Sequence, residues 1–265
     1  MTEKPKLKLV ASDMDGTLLN SNAALPSGFF GLLDEMKRRG IAFAAASGRQ
    51  IHNMKTKFGA YANDIYFVAE NGAYITKAGK ELLELSLKRE EISTLLKIAR
   101  EIKDAYIVLS GKKFAYIENP DPVFLAKLTS YSGYIKPVKD ISEIENDTFF
   151  KFTICDLSNP STNSMPKFSR LKNEFQIKVS GTKWLDITHK NADKGKAIRM
   201  LQKLLNASPD ECAAFGDYLN DIEMLKSVKY SFAMENAHPD IKKIAKFKTY
   251  SNNDDGVPRA LSLLL

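Results

Sequence analysis

Apolar and polar positions along this 265-residue chain follow two rhythms, one at its ends and another in its middle. Leu7 to Ser12 (LKLVAS) reads as a strand ending at Asp13. From Leu25 to Arg39 the residues Phe29, Phe30, Leu32, Leu33 and Met36 form a helical stripe, with Pro26 near the first turn and Gly40 as a stop. Ile41 to Ala46 is a second buried strand; Ser47-Gly48-Arg49 follows, then a helix through Phe58 and a third strand, Ile65 to Ala69, closed by Asn71-Gly72. Strand, helix, strand, helix, strand within ~65 residues implies right-handed crossovers and a parallel sheet. The last third resumes the pattern. Helices are expected at Lys194–Leu205, Asp221–Lys226 and His238–Lys246, and strands at Cys212–Phe215, Tyr230–Ala233 and Lys248–Tyr250.

The middle, 83–186, alternates differently. It predicts helices at Arg89–Lys103, Pro122–Tyr131 and Met165–Phe175. Its strands are Tyr106–Ser110 and Lys113–Ile117, joined at Gly111, then Phe149–Cys155, Ile177–Val179 and Trp184–Ile187. Hairpins beside helices indicate an α+β module inserted into an α/β domain. The expected division is 1–82 and 187–265 for the core and 83–186 for the insertion, with hinges near Leu82 and Ile187.

Composition narrows the class. A hydrophobic fraction of 44% and a charged fraction of 27% are ordinary globular values, which excludes a disordered or fibrous chain. No apolar run approaches the ~18 residues of a membrane span, and MTEKPKLKLV has no signal-peptide core. Two cysteines, Cys155 and Cys212, make no disulfide framework; in apolar strands they read as packing residues. The expectation is a soluble cytoplasmic protein with no membrane partner. Net charge is +7, but the densest basic cluster, Lys242, Lys243, Lys246 and Lys248, lies in one amphipathic stretch. It reads as a solvated helix face, so no nucleic-acid partner is expected, while the surplus suits small anions.

Candidate chemistry gathers at predicted strand ends, where ligands of open α/β sheets bind. Asp13-Met14-Asp15-Gly16-Thr17 follows the first strand. Two carboxylates two residues apart suit a cation, a nucleophile and a proton carrier. Gly16 permits a tight turn and the Thr17 hydroxyl can brace it; a solvated Asp-rich turn is the plainer alternative. Ser47 precedes a helix, as either an anion site or a cap. Lys194 opens a helix against the dipole, which suggests a function, though a surface lysine, or Lys196 instead, stays open. In Gly216-Asp217-Tyr218-Leu219-Asn220-Asp221, two carboxylates and an amide collect the oxygens that Mg²⁺ prefers.

Taken together these strings resemble the haloacid dehalogenase (HAD) superfamily of aspartate-nucleophile phosphohydrolases. DMDGT at 13–17, Ser47, Lys194 and GDYLND at 216–221 stand in that family's order. ENGA at 70–73, SFAMENA at 231–237 and DDGV at 254–257 look like its Cof-type subfamily, and within it bacterial sugar phosphatases. The resemblance implies a Rossmann-like parallel core with a type-IIB α+β cap. It makes Asp13 the nucleophile and Asp15 the general acid and base. It assigns Mg²⁺ to Asp13, the Asp15 carbonyl and Asp217, with Asp221 orienting bound water, and phosphate to Ser47, Gly48, Lys194 and Asn220. The implied substrate is a small phosphate ester, most simply a sugar phosphate, and the implied assembly a monomer or weak homo-oligomer. A phosphosugar mutase and a non-catalytic phosphosugar-binding regulator are the alternatives.

Arg49 and Asn71, at strand ends facing the crevice, are open between ligand binding and loop stabilisation. His52, His189 and His238 are dispersed, so a histidine zinc site is not expected, and Trp184 is expected in the cap's core rather than on its substrate side.

Overall fold

A computed structural model describes residues 5–128 and 134–265. The larger sheet has the order β14-β13-β12-β1-β2-β3-β4-β5. Its centre is β1 (Leu9–Asp13), flanked by β2 (Ala42–Ala46) and β12 (Cys212–Gly216). These strands read LVASD, AFAAA and CAAFG and are almost wholly buried, as expected for parallel strands covered on both faces. From β2 the chain proceeds through α2 (Ile51–Phe58) to β3 (Tyr66–Ala69) on one side. From β12 it proceeds to β13 (Tyr230–Ala233) and β14 (Phe247–Lys248) on the other, all in parallel register. The strand order therefore reverses at β1, which opens a crevice at the carboxyl ends of β1, β2 and β12.

The parallel reading holds for six strands and fails at one edge. β4 (Tyr74–Lys77) and β5 (Lys80–Glu84) add an antiparallel hairpin, turned by Ala78 and Gly79 at φ 49° and 76°. Without Asn-Gly or Asp-Gly at the turn, its usual sequence mark is absent. A closing helix, α8 (Gly256–Leu264), was not expected either; it buries Val257, Ala260, Leu261 and Leu264 and packs on α1 (Phe29–Arg38).

The smaller sheet has the order β10-β11-β9-β6-β7-β8. Its members are β6 (Ala105–Gly111), β7 (Ala115–Ile117), β8 (Ile135–Pro137), β9 (Phe149–Asp156), β10 (Phe175–Gly181) and β11 (Trp184–His189). All neighbours are antiparallel except β7 and β8. Period-two alternation sorts it into two faces. Leu109, Phe152, Ile154, Leu185 and Ile187 pack beneath α3 (Arg89–Ala99) in one apolar cluster. The intervening Val108, Ser110, Lys151, Thr153, Trp184 and Asp186 look onto the crevice of the larger sheet.

Met165–Leu171 is a 3₁₀ turn rather than the expected α-helix to Phe175. Its inward residues Met165, Phe168 and Leu171 stand every third position, the 3₁₀ period. The helix from Pro122 is described to Leu128, and its expected tail to Tyr131 lies outside the described residues. The chain leaves the large sheet after Glu84 and the small one after His189, so junctions at 82/83 and 186/187 would each cut a strand. Among the described residues no helix is long and apolar enough to cross a membrane.

Candidate active site

The switch point of the large sheet brings the distant aspartates together. Asp13 ends β1, Asp217 follows β12, and Asp221 closes the turn after it. Carboxylate oxygens of the three lie within 4.8 Å of one another. The Lys194 ammonium sits among them, donating to Asp13 Oδ1 at 2.5 Å and Asp221 Oδ1 at 2.7 Å, with its side chain fully buried. Of the two lysines it is Lys194 that the structure brings to the aspartates; Lys196 is exposed and its ammonium donates to Asn191. Lys194 opens α5 (Lys194–Leu204), whose amino end is capped by Asp193 through the N–H groups of Gly195 and Lys196.

The surrounding turn is tightly made. Thr17 donates its hydroxyl to Asp217 Oδ1 at 2.7 Å, the bracing expected of it. Gly16 has φ 77°, and a Cβ there would lie 2.5 Å from Asp217 Oδ2, so only glycine fits. Asp221 Oδ2 accepts the N–H groups of Asp217 and Tyr218.

Were all three carboxylates ionised, one ammonium would leave two negative charges uncompensated. Burial drives the Asp13 carboxyl well above its usual range; Lys194 pulls it down, and Asp221 and Asp217 push it up again. Asp217 is pushed up to about 7, chiefly by burial and then by Asp221. Burial opposes the charge on Lys194, but Asp13 and Asp221 outweigh it and raise its pKa. An oxygen-rich, charge-deficient cluster of this kind is chemically fitted to a hard divalent cation.

Asp15 points elsewhere. Arg49 grips its carboxylate with two hydrogen bonds, 2.6 Å from Nε and 2.5 Å from Nη2, and also donates to Asn53. Ser47 is not the cap of α2, which starts at Ile51; its hydroxyl accepts the Arg49 N–H at 3.1 Å, shaping the turn. Asp13, Asp15, Ser47, Gly48, Arg49, Asp217 and Asn220 all line one cavity of about 110 Å³ between the two sheets. Asn71 does not. Its amide is buried, donating to Asp186 Oδ2 at 2.9 Å and accepting from Asn220 at 3.1 Å, which favours the loop-stabilising alternative.

The cap supplies the opposite wall with Val108, Ser110, Lys151, Thr153, Trp184 and Asp186. Trp184 thus borders the cavity while also packing on the cap's second apolar cluster. Lys151, Thr153 and Asp186 went unnoticed in the sequence. Their signal was the alternation in FFKFTICD and WLDITH, which places polar residues on the face away from the cap's main core. Cys155 and Cys212 are buried as expected; His52 contacts the Lys112 carbonyl, and His238 accepts the Asp240 N–H while donating its own backbone N–H to the Asp217 carbonyl.

A crevice at the switch point, an aspartate-lysine cluster inside it and a lid sheet above it define a class. The chain belongs to the haloacid dehalogenase-like hydrolases, whose family pattern matches residues 10–261. It is 33% identical to the 5-amino-6-(5-phospho-D-ribitylamino)uracil phosphatase YbjI of Escherichia coli K12, covering 95% of this chain and 93% of that one. The structure superposes on SMU.1108c of Streptococcus mutans UA159 with TM-score 0.91 and 32% identity, over 97% and 98% of the two chains. It also shares its fold with the HAD subclass IIB sugar phosphatase BT4131, at TM-score 0.82 and 20% identity over 96% and 98%. The α/β core with an inserted α+β cap is therefore that of subclass IIB.

Proposed function

We propose that this chain is a Mg²⁺-dependent phosphatase that hydrolyses small phosphorylated metabolites, sugar phosphates first among them, through a phosphoaspartate on Asp13. The observation that carries this reading is the buried Asp13–Lys194–Asp221 cluster with Asp217 beside it. A catalyst of phosphoryl transfer mainly needs positioning and positive charge around a highly anionic transition state. Asp13, Asp217 and Asp221, with the Asp15 carbonyl, would hold the cation, which offsets repulsion between Asp13 and the phosphate.

The Asp13 carboxylate attacks phosphorus, and the bond from phosphorus to the leaving oxygen breaks. Asp15 gives that oxygen a proton. Water then attacks the phosphoryl group, Asp15 takes the water's proton, and inorganic phosphate departs from a regenerated Asp13. Lys194, Ser47, Gly48 and Asn220 hold the phosphoryl oxygens. To act as an acid, Asp15 must exchange Arg49 for the leaving oxygen, and an arriving phosphate offers Arg49 another anion to bind. The Escherichia coli relative is named for a substrate whose phosphate sits on a ribityl chain, which supports a polyol-like leaving group.

The test is release of inorganic phosphate from a panel of ~50–100 phosphorylated metabolites, with Mg²⁺ and with excess chelator. Turnover that needs Mg²⁺ is expected. Silence across the panel, or undiminished turnover in chelator, would overturn the reading.

A further inference from the structure

After β3 the backbone enters an unusual stretch: Glu70, Asn71 and Gly72 have φ of 50°, 57° and 95°. Left-handed backbone in non-glycine residues is costly and persists only where neighbours over-determine it. The neighbours here are parts of the phosphate site. Glu70 donates its N–H to the Arg49 carbonyl at 3.1 Å, and Asn71 donates to the Ser47 carbonyl at 2.9 Å. Gly72 lies against the backbone of Asp193, where a Cβ would come within 2.7 Å of the Asp193 carbonyl. One short loop thus braces both the Ser47–Arg49 turn and the start of the helix that carries Lys194.

The side chains of the same loop face the cap. The buried Glu70 carboxylate stands 2.9 Å from the Lys151 ammonium, an ion pair across the seam. Neither Glu70 oxygen has a hydrogen bond of good geometry among the described residues. Lys151 also donates to the Gly48 carbonyl and lies 3.8 Å from Asp186. Asp186 accepts from Asn71 at 2.9 Å and from the Thr153 hydroxyl at 2.8 Å. Asn71 passes the contact on, because its carbonyl oxygen receives the amide of Asn220, which lines the cavity.

Lys151 and Asp186 belong to the cap, whereas Glu70, Asn71, Gly48 and Asn220 belong to the core. If the cap lifts, the counter-ion of Glu70 and the acceptor of Asn71 leave together. We propose that Asn71 is a positioning residue that makes the phosphate site depend on cap closure, with the Asn71–Asp186 hydrogen bond as the contact it reads and the Asn220 amide as the group it sets. The Glu70–Lys151 pair holds the loop in register for that contact. The inference rests on the phosphatase reading above. It goes beyond it in making closure a condition for chemistry rather than only a shield for the substrate.

An exchange of partners tests this. Asn71→Asp sets two carboxylates face to face, and Asp186→Asn replaces the charged acceptor of Asn71 with a neutral amide. With both substitutions, one donor again meets one acceptor with the roles exchanged. With p-nitrophenyl phosphate and saturating Mg²⁺, each single variant is expected to lose about 10-fold or more in kcat while KM moves by less than about 3-fold. The double variant is expected to return to within about 3-fold of the parent, a coupling that additive effects cannot give. Asn71→Gly accepts the left-handed backbone and lacks the amide, so it should still fold while losing kcat; it stands in if Asn71→Asp fails to fold. Unchanged kcat in Asn71→Gly, or no recovery in the double variant of an active parent, would overturn the inference alone. A parent that releases no phosphate from any ester would overturn the phosphatase reading as well.

Discussion

Two buried lysines face each other's neighbourhoods across the cavity, and they are built differently. Lys194 is held 2.5 and 2.7 Å from Asp13 and Asp221, all three on the core. Lys151 is held 2.9 Å from Glu70 of the core and 3.8 Å from Asp186 of the cap. Around Lys194, Asp217 adds a third carboxylate, an oxygen-rich grouping that could hold a cation. Around Lys151 the balance is one lysine against two carboxylates, with an amide and a hydroxyl satisfying the second of them. The first cluster exists whatever the cap does. The second exists only when core and cap meet. On the reading proposed above, the contrast separates what would perform the reaction from what would make it conditional.

The contrast breaks most visibly at Asp13. Asp13→Asn should abolish phosphate release, by at least about 10⁴-fold, because no phosphoaspartate can form. Lys194→Met should cost about 10³-fold in kcat. It also strands buried carboxylates, so the metal-free variant should lose about 3–5 kcal/mol in a denaturant melt. Residual activity within two-fold of the parent in either variant would remove the core cluster from the chemistry.

Lys151→Met sharpens the other side. We expect about a 10-fold fall in kcat/KM and loss of exchange protection at the Asn71 amide, which donates to Ser47. The β1 and β12 amides should keep their protection. Equal loss in those strands would mean that Lys151 supports the core itself. A milder change, Trp184→Ala, should redistribute kcat/KM among bulky phosphate esters by about 10-fold, or ~1.4 kcal/mol, while acetyl phosphate changes less. Uniform scaling would show that this wall does not choose substrates.

The smallest expected effect concerns Asp193, which caps α5 and accepts Lys178 of the cap at 2.8 Å. Burial pushes its carboxyl up, but Lys178 and the N–H groups of Lys196 and Gly195 prevail and hold it below its usual range. A depressed carboxyl contributes stability above its unfolded pKa, about 3.9, and loses it as pH falls through the lower folded value. Asp193→Asn should therefore lower stability by on the order of 1 kcal/mol at pH 6, with the difference from the parent fading below about pH 3. A difference that persists in acid would assign the loss to capping geometry rather than charge.

Much of this was legible in the residue pattern. The apolar runs at 7–12, 41–46 and 212–215 are buried on both faces, so continuous hydrophobicity marks them whatever their neighbours. DMDGT and GDYLND carry their candidate chemistry in neighbouring residues, and their occurrence together at strand ends is what sets them apart from ordinary Asp-rich turns. The insertion announced itself through a change of rhythm. The sequence favoured Lys194 but left Lys196 open, since both fall in the first turn of one helix; the distance to Asp13 separates them.

What the tertiary structure alone decided are the contacts between segments far apart in the chain. Asn71 stands 115 positions from Asp186 and 149 from Asn220. Lys151 stands 103 positions from Gly48. No local preference records such pairings, because each partner is polar, common and compatible with an exposed loop. Asn71 was open between ligand binding and loop stabilisation, and only the fold shows both ends of its amide occupied. Local sequence sets the period of an element and the chemistry of a turn, since both depend on near neighbours. Which polar faces close on each other is set by how two sheets dock, and that free energy belongs to no single segment.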